Sequence, residues 1–367
     1  MKLALLLHGG VDQSGEQRVI HVFLWLLERL ARRHEVHVFC FNQESDPREW
    51  ALLGARVHNV GTGRGWRRRL FTTFAAEHRT SPFQLIHAIF SWGGTYGALL
   101  GARHHVPVLY HAEGGDLVAL ADIGYGVRRT ARGRIGQKVA TDGATRVSVA
   151  SDYMQRLAAD LAIDAEVVPL GIALDRWPPS PPRPRDPSRP ARLLHVGDLR
   201  PVKGQDVLLA ASCLLAGRCI DFRLDIAGLD TLNGALAQSP HALALGEVVR
   251  FHGHLQRDTL RALMLDADVL LVSSRHESGP VVMLEAALAG VPTVGTAVGH
   301  IATWAPDAAV AVPIGDAEAL ARATAALLSD EPRRLAIAHE AQRRAMVIDA
   351  DYTADAFERI YDELRVP

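Results

Sequence analysis

Lysine is almost missing from this chain: of 40 basic residues only Lys2, Lys138 and Lys203 are lysines, so arginine is the ordinary cation and each lysine position asks for a reason. Cysteine is equally sparse. Cys40, Cys213 and Cys219 are odd in number and lack zinc-ligand spacing, which excludes a disulfide framework and predicts reduced, mostly buried thiols in a reducing compartment. Long apolar runs are missing too. Lys2 is followed by only five apolar residues, Leu3 to Leu7, against about 7 to 15 for a secretory core and about 18 or more for a membrane span. The expected location is the cytoplasm. Charge of one sign is absent as well: the formal net charge is −1, so no global field draws the chain to nucleic acid or onto an anionic membrane, and partners must be chosen locally.

What is present is ample apolar material, 48% hydrophobic against 22% charged residues over 367 positions. Single cores stop growing at roughly 250 to 300 residues, so two domains are expected. Between Pro178 and Pro190, seven of thirteen positions are proline, which reads as a stiff, extended connection unable to pair as a central strand. The division predicted is a first domain over 1–175, a linker over 176–190, a second domain over 191–348, and a terminal helix over 349–367 that crosses back to the first domain. Apolar segments at Leu3–Leu7, Val36–Phe41, Leu85–Ala88, Val106–Tyr110 and Val147–Ala150 in the first half predict strands. So do Arg192–Val196, Phe222–Ala227, Val248–His252, Val269–Val272 and Pro292–Gly295 in the second. Near-continuous apolar strands separated by amphipathic helices, such as Glu16–Arg33, imply α/β domains with parallel sheets covered on both faces. Ligands in such folds sit beyond the carboxyl ends of the strands, which predicts a cleft between two facing domains.

The stretch from Ser273 to Pro292 carries the chemistry. It follows the strand Val269–Val272, breaks at Ser278-Gly279, and resumes as a helix with Pro280 at its first position, where a missing N–H is harmless. The amides of Val281 and Val282 at a positive helix end suit a diphosphate. Glu277 and Glu285 lie eight positions apart. A carboxylate can accept from both hydroxyls of a vicinal diol, so Glu285 suits a ribose and Glu277 a sugar ring. Most carboxylates are simply solvated, but Glu285 is embedded among Val282, Met283, Leu284, Ala286, Ala287 and Leu288 and needs partners there.

With these residues in view, the glutamate–seven residues–glutamate pattern resembles the signature of retaining glycosyltransferases of family 4. The likeness extends back to Gly253 and forward through Val291–Ile301. It implies a GT-B fold, two Rossmann-like domains facing across a cleft, and transfer from a nucleotide diphosphate sugar to an acceptor hydroxyl with retention, metal-independent and without a cofactor. It also implies that Lys203, in the loop Gly197-Asp198-Leu199-Arg200-Pro201-Val202-Lys203, holds the donor diphosphate, a compact ammonium in a chain that otherwise uses arginine. The family often has an arginine where Asp198 stands here, and Arg200 is the candidate substitute. Gly9, Gly10 and Ser14, after the first strand, are expected near the sugar and acceptor. Many members carry a cleft histidine in the loop that here reads Tyr110 to Asp116, a role that falls on His111 or Glu113.

Asp266-Ala267-Asp268 has the spacing of a metal-binding pair but is explained by helix termination, and no metal is needed for the diphosphate. Trp66-Arg67-Arg68-Arg69 and Arg128-Arg129 with Arg132 and Arg134 are local basic clusters. Solvated surface is their bland reading; a contact with anionic lipid at the membrane periphery, or with an anionic acceptor, is the sharper one. The acceptor class is open: carbohydrate, lipid-linked or small molecule. Alternatives to transfer are a GT-B epimerase acting on the same donor and a non-catalytic nucleotide-sugar-binding protein.

Overall fold

A computed structural model describes residues 1–365. They form two compact units, Met1–Ala173 with the chain from Asp349 onward, and Leu174–Ile348.

The first unit is built on an eight-stranded sheet. In chain order its strands are β1 (Lys2–Leu7), β2 (Glu35–Cys40), β3 (Arg48–Leu52), β4 (Ala55–Asn59), β5 (Leu85–Ile89), β6 (Val108–Ala112), β7 (Arg146–Val149) and β8 (Glu166–Val167). The spatial order is β3-β4-β2-β1-β5-β6-β7-β8, and every pairing is parallel except β3 with β4. Strand β1 therefore lies between β2 and β5, the point where the direction of winding reverses and ligands bind in such sheets. β1, β5 and β6 are buried along their whole length, which is why they read as largely apolar, broken only by Lys2, His87 and His111. The C-terminal helix Ala350–Leu364 packs on this unit through the predicted stripe of Phe357, Ile360, Tyr361 and Leu364, all buried. Tyr361 Oη lies 2.6 Å from His87 Nδ1 in β5, and Arg29 closes a two-point ion pair with Asp351 at 2.8 and 3.0 Å.

Two expectations shift here. The helix predicted from Glu16 starts only at His21 and runs to Ala31, because local side chains capture the backbone first. Asp12 Oδ1 accepts from the Ser14 amide and hydroxyl, Ser14 Oγ accepts from the amides of Glu16 and Gln17, and Arg18 takes a positive φ of 50°. Of the thiols, only Cys40 is buried, while Cys213 is half-buried and Cys219 exposed, so "mostly buried" holds for one of three.

The second unit carries β9 (Ala191–Val196), β10 (Phe222–Ala227), β11 (Val249–Gly253), β12 (Val269–Val272), β13 (Thr293–Thr296) and β14 (Val310–Val312), all parallel, in the order β11-β10-β9-β12-β13-β14. Its reversal point is between β9 and β12. The unit begins at Leu174, so the proline-rich stretch lies within it as a fixed strap rather than standing apart as a spacer. The amide of Ser180 donates to Leu288 O at 2.8 Å, Arg183 donates to the carbonyls of Leu265 and Asp266, and Arg334 donates back to Arg183 O at 2.6 Å. Prolines there lose no ladder bond, since the strap pairs through scattered carbonyls and arginines.

Candidate functional site

The loop after β9 and the loop after β12 flank the reversal point of the second unit and are locked together. The Arg275 amide donates to Val202 O at 2.7 Å and Ser273 Oγ to Lys203 O at 2.8 Å. Gly204 makes this approach feasible: its φ is +61°, and a Cβ there would stand 2.3 Å from Ser273 O. The lock aims Lys203 across the loops, where its Nζ meets Glu277 Oε1 at 2.7 Å; Ser274 Oγ donates to the same oxygen at 2.6 Å. Burial pushes the Glu277 carboxyl up, but the Lys203 ammonium, the Ser274 hydroxyl and His276 outweigh it and hold the group below the usual carboxylate range. Glu277 is thus ionised and fixed.

Past Gly279 the helix spans Val281–Leu288, with Pro280 as its extended cap rather than its first residue. The amides of Val281 and Val282 precede the first bond of the helix, from Met283 N to Pro280 O. They close the loop after β12 four and five residues past Glu277, at the positive helix end. Glu285 lies one turn further along. Its carbonyl accepts from Trp177 Nε1 at 3.1 Å, and burial alone pushes its carboxyl up to about 7. A carboxyl so displaced lacks the donors that would hold its charge, as expected of a group awaiting hydroxyls. Ser278 is buried beside Gly279.

Not every predicted member joins this group. Gly197 lies under the Lys203 stem, where a Cβ would meet Lys203 Cδ and Cε at 3.5 Å. Arg200 is more than half exposed and reaches Asp198 at 3.5 Å, while Asp198 also accepts from the Leu229 amide; the two are paired with each other at the loop's outer side. Asp268 is fully buried and accepts from the Arg192 amide and from Arg183, which accounts for it structurally. Ser274 was missed: a serine in a loop carries no distinctive signal until its partner's position is known.

In the first unit the loop after β1 is gripped by Gln43, whose Oε1 accepts from the amides of Gly10 and Val11 at 2.7 and 3.0 Å. Gly10 has φ +88°, and a Cβ there would strike Ile20 at 2.8 Å. Ser14 is spent on the Asp12 turn. His111 is in β6 itself, fully buried, with Nδ1 at 2.9 Å from Ser148 Oγ and Nε2 at 3.1 Å from Glu113 Oε1; its ring meets Phe357 edge-on. It is a satisfied core histidine that supports Glu113 at the strand's carboxyl end. The loop there is held by Asp116, whose Oδ2 accepts from Tyr110 Oη and the Glu113 amide; burial lifts its carboxyl to about 6.

Beyond the carboxyl ends of β1 and β2 lies a cavity of about 190 Å³ lined by His8, Phe41, Trp66, Arg67, Trp92, Tyr96 and Arg132 among others. One arginine from each of the two basic clusters noted in the sequence, Arg67 and Arg132, lines it. Arg67 lies over Trp66 at 4.8 Å and donates to Tyr96 Oη at 2.7 Å, and Arg132 lies over Trp92 at 5.2 Å. Trp66 and Arg67, Trp92, and Arg132 come from the first turns of the helices Trp66–Thr80, Phe90–His104 and Ala131–Asp142, so the amino ends of three helices border the cavity. Among the described residues no carboxylate lines the cavity. The helix Phe90–His104 starts with no loop because Phe90 takes φ +64°, a strained conformation for a bulky residue at the reversal point. These residues were illegible as a set because they come from segments spread between positions 8 and 132.

Among the described residues no helix is long and apolar enough to cross a membrane. Comparison with known proteins agrees with the sheet topology. Residues 180–344 match the family described as Glycosyl transferases group 1, and residues 19–171 match the Glycosyl transferase 4-like domain. The chain is 31% identical to D-inositol 3-phosphate glycosyltransferase 2 of Catenulispora acidiphila over 79% of its own length and 74% of the relative's. Among solved structures, sucrose-phosphate synthase of Thermosynechococcus elongatus superposes with a TM-score of 0.82 at 20% identity, covering 99% of this chain and 98% of that one. HepE of Anabaena, in complex with UDP-glucose, superposes with a TM-score of 0.76 at 18% identity, covering 99% of this chain and 100% of that one.

Proposed function

The chain belongs to the group 1 glycosyltransferases with the GT-B fold, and on that premise we propose that it transfers a glycosyl unit from a nucleotide diphosphate sugar to an acceptor hydroxyl with retention at the anomeric carbon. The observation that carries this reading is the meeting of Lys203 Nζ and Glu277 Oε1 at the β9/β12 reversal point, beside the amino end of the helix Val281–Leu288. A diphosphate entering there finds the Lys203 ammonium and the amides of Val281 and Val282, which stabilise the leaving group's charge without a metal. Arg200 is a reserve cation at the loop's edge. Glu285, its carboxyl raised by burial, accepts from the ribose diol. Glu277, already ionised, accepts from the hydroxyls of the transferred sugar and loses part of its bond to Lys203 when the phosphate arrives. Glu113, braced by His111, takes the sugar-side position in the first unit with Gly9 and Gly10. Solved HepE complexes with UDP-glucose support the donor class.

The acceptor reading rests on the cavity of the first unit. Aromatic walls suit the face of a sugar-like ring, and Arg67, Arg132 and three helix ends suit an anionic substituent on it. Relatives named for D-inositol 3-phosphate support an acceptor that carries phosphate. A second reading of the same arginines is a peripheral contact with anionic lipid, at the cytoplasmic face of a membrane. The test is product analysis: incubation with a panel of nucleotide sugars and phosphorylated or neutral polyols, with the anomeric configuration read by NMR. A retained glycoside is expected. An isomerised donor with no acceptor product would assign the site to an epimerase, and neither product nor donor hydrolysis to a non-catalytic binder.

A further inference from the structure

One side-chain cluster takes no part in any of this. His37 in β2 and His58 in β4 sit diagonally on one face of the sheet, His37 opposite Arg56 and Phe39 opposite His58. Their outer nitrogens meet carboxylates: His37 Nε2 lies 3.0 Å from Glu35 Oε1, and His58 Nδ1 lies 2.7 Å from Glu49 Oε1. An ionised carboxylate only accepts, so both outer nitrogens carry hydrogen. A neutral imidazole has one N–H, which leaves His37 Nδ1 and His58 Nε2 as bare lone pairs, yet these two atoms are 2.9 Å apart. That contact needs a cation in it.

The cation is a proton or a metal ion. Glu77 supplies a third donor from the last turns of the helix Trp66–Thr80: its Oε2 lies 3.6 Å from His37 Nδ1, and the three donor atoms fall within 4.8 Å of one another. Arg56 reaches Glu77 Oε1 at 3.4 Å and Glu49 Oε2 at 3.1 Å, and Lys2 Nζ lies 3.8 Å from both Glu35 and Glu77 while donating to the carbonyls of Glu77 and Ser81. Three carboxylates thus face two fixed cations, an acidic balance before any occupant. Phe39 stacks on His58 at 4.8 Å and Phe83 meets His37 edge-on at 5.4 Å, so aromatic rings wall the pair on the sheet's face.

We propose that His37 Nδ1, His58 Nε2 and Glu77 Oε2 bind a divalent ion of the zinc class, with a water in the fourth position and Glu35 and Glu49 as the outer carboxylates that fix the rings. Two imidazoles and one carboxylate suit such an ion, and histidine ligands commonly give their second nitrogen to a carboxylate in this way. A tetrahedral site needs donor atoms roughly 3.3 Å apart; the two ring nitrogens are 2.9 Å apart with the rings only 15° from parallel, and Glu77 Oε2 is 3.6 Å from His37 Nδ1 and within 4.8 Å of His58 Nε2, so the ion is seated when the rings turn toward it and Glu77 closes on His58. Glu35 and His37 lie in the first half of β2, Glu77 in the last turn of its helix and His58 fourth of five residues in β4, so the ion's ligands are carried by strands and a helix and not by loops. The loops of the candidate site follow the carboxyl ends. The ion's task is therefore to pin β2, β4 and the helix Trp66–Thr80 together, not to touch substrate.

The test uses the full chain stripped with a chelator and titrated with Co²⁺, then Zn²⁺. Expected are a tetrahedral cobalt absorption band saturating at one ion per chain, its displacement by Zn²⁺, and a Tm that rises with Zn²⁺. Glu77→Gln, on the covering helix, should keep the circular dichroism spectrum and weaken Co²⁺ binding at least about tenfold, and His58→Gln should abolish the band. Uptake unchanged in Glu77→Gln would place the ion on other histidines and overturn the proposal. No uptake, with stability falling as pH rises through the histidine range, would assign the contact to a proton and overturn it equally. Should His58→Gln not fold, the wild-type stoichiometry and Glu77→Gln still decide.

Discussion

Glu277 and Lys203 come from loops 74 residues apart in sequence and meet at 2.7 Å, with the lysine one-quarter exposed and the glutamate less so. Two strands that are neighbours only because the sheet reverses its winding between them bring this pair together. Removing the ammonium leaves a carboxylate with a serine hydroxyl and an adjacent histidine as its support. Lys203→Ala should therefore lower donor turnover at least about tenfold and reduce stability by roughly 1 to 3 kcal/mol, since a largely buried charge loses its partner. Steady-state kinetics and urea unfolding measure the two effects separately.

Gly204→Ala should destabilise the second unit by more than about 1 kcal/mol, because an alanine at positive φ is strained and its methyl meets Ser273 O. The loops would part, so KM for the donor should rise with it. Thermal unfolding and initial rates check both.

Glu285 gives a pH signature. Its carboxyl is raised to about 7 in the folded protein, so the ionised form is disfavoured by folding: the penalty is present above that value and relieved as pH falls through it. Glu285→Gln should accordingly stabilise the empty protein at about pH 8 by roughly 1 to 2 kcal/mol, while leaving stability near pH 5 little changed. Donor binding runs the other way, since ribose hydroxyls need the carboxylate. Nucleoside diphosphate affinity should fall severalfold between about pH 8 and pH 6 in the wild type and lose that dependence in Glu285→Gln.

Arg67→Ala and Arg132→Ala should each raise KM for an anionic acceptor by about tenfold, with slow donor hydrolysis unchanged. Added salt should weaken the acceptor more than the donor. A neutral acceptor unaffected by both substitutions would confirm that the arginines read charge.

Phe357→Ala should remove a fully buried ring from the contact with His87 and His111 and cost about 3 to 5 kcal/mol in the unfolding of the first unit.

Much of this was legible in the residues themselves. Phe222–Ala227 and Val269–Val272 read as strands with the bounds observed: the second is an unbroken apolar run buried on both faces, and the first alternates Phe222, Leu224 and Ile226 with Arg223 and Asp225. The hairpin β3–β4 was not legible: Arg48, Glu49 and Arg56 break the run, and its two-residue turn opens on Leu53 at φ +50°, where Asn or Asp before Gly54 would have announced it. Val106–Tyr110 was two residues early because Pro107 delays pairing until Val108. At the site, Lys203, Glu277 and Glu285 stood out through rarity and apolar surroundings. The aromatic cavity and the paired histidines did not, since each depends on side chains from four or more segments that only the folded sheet assembles.

Isothermal titration of nucleoside diphosphate against wild type and Lys203→Ala bears most directly on the diphosphate site at the β9/β12 reversal point. One site per chain is predicted, preferring the diphosphate over the nucleoside and weakened at least about tenfold by the substitution in a protein that remains folded. Equal affinity in the two proteins, or equal affinity for diphosphate and nucleoside, would contradict it.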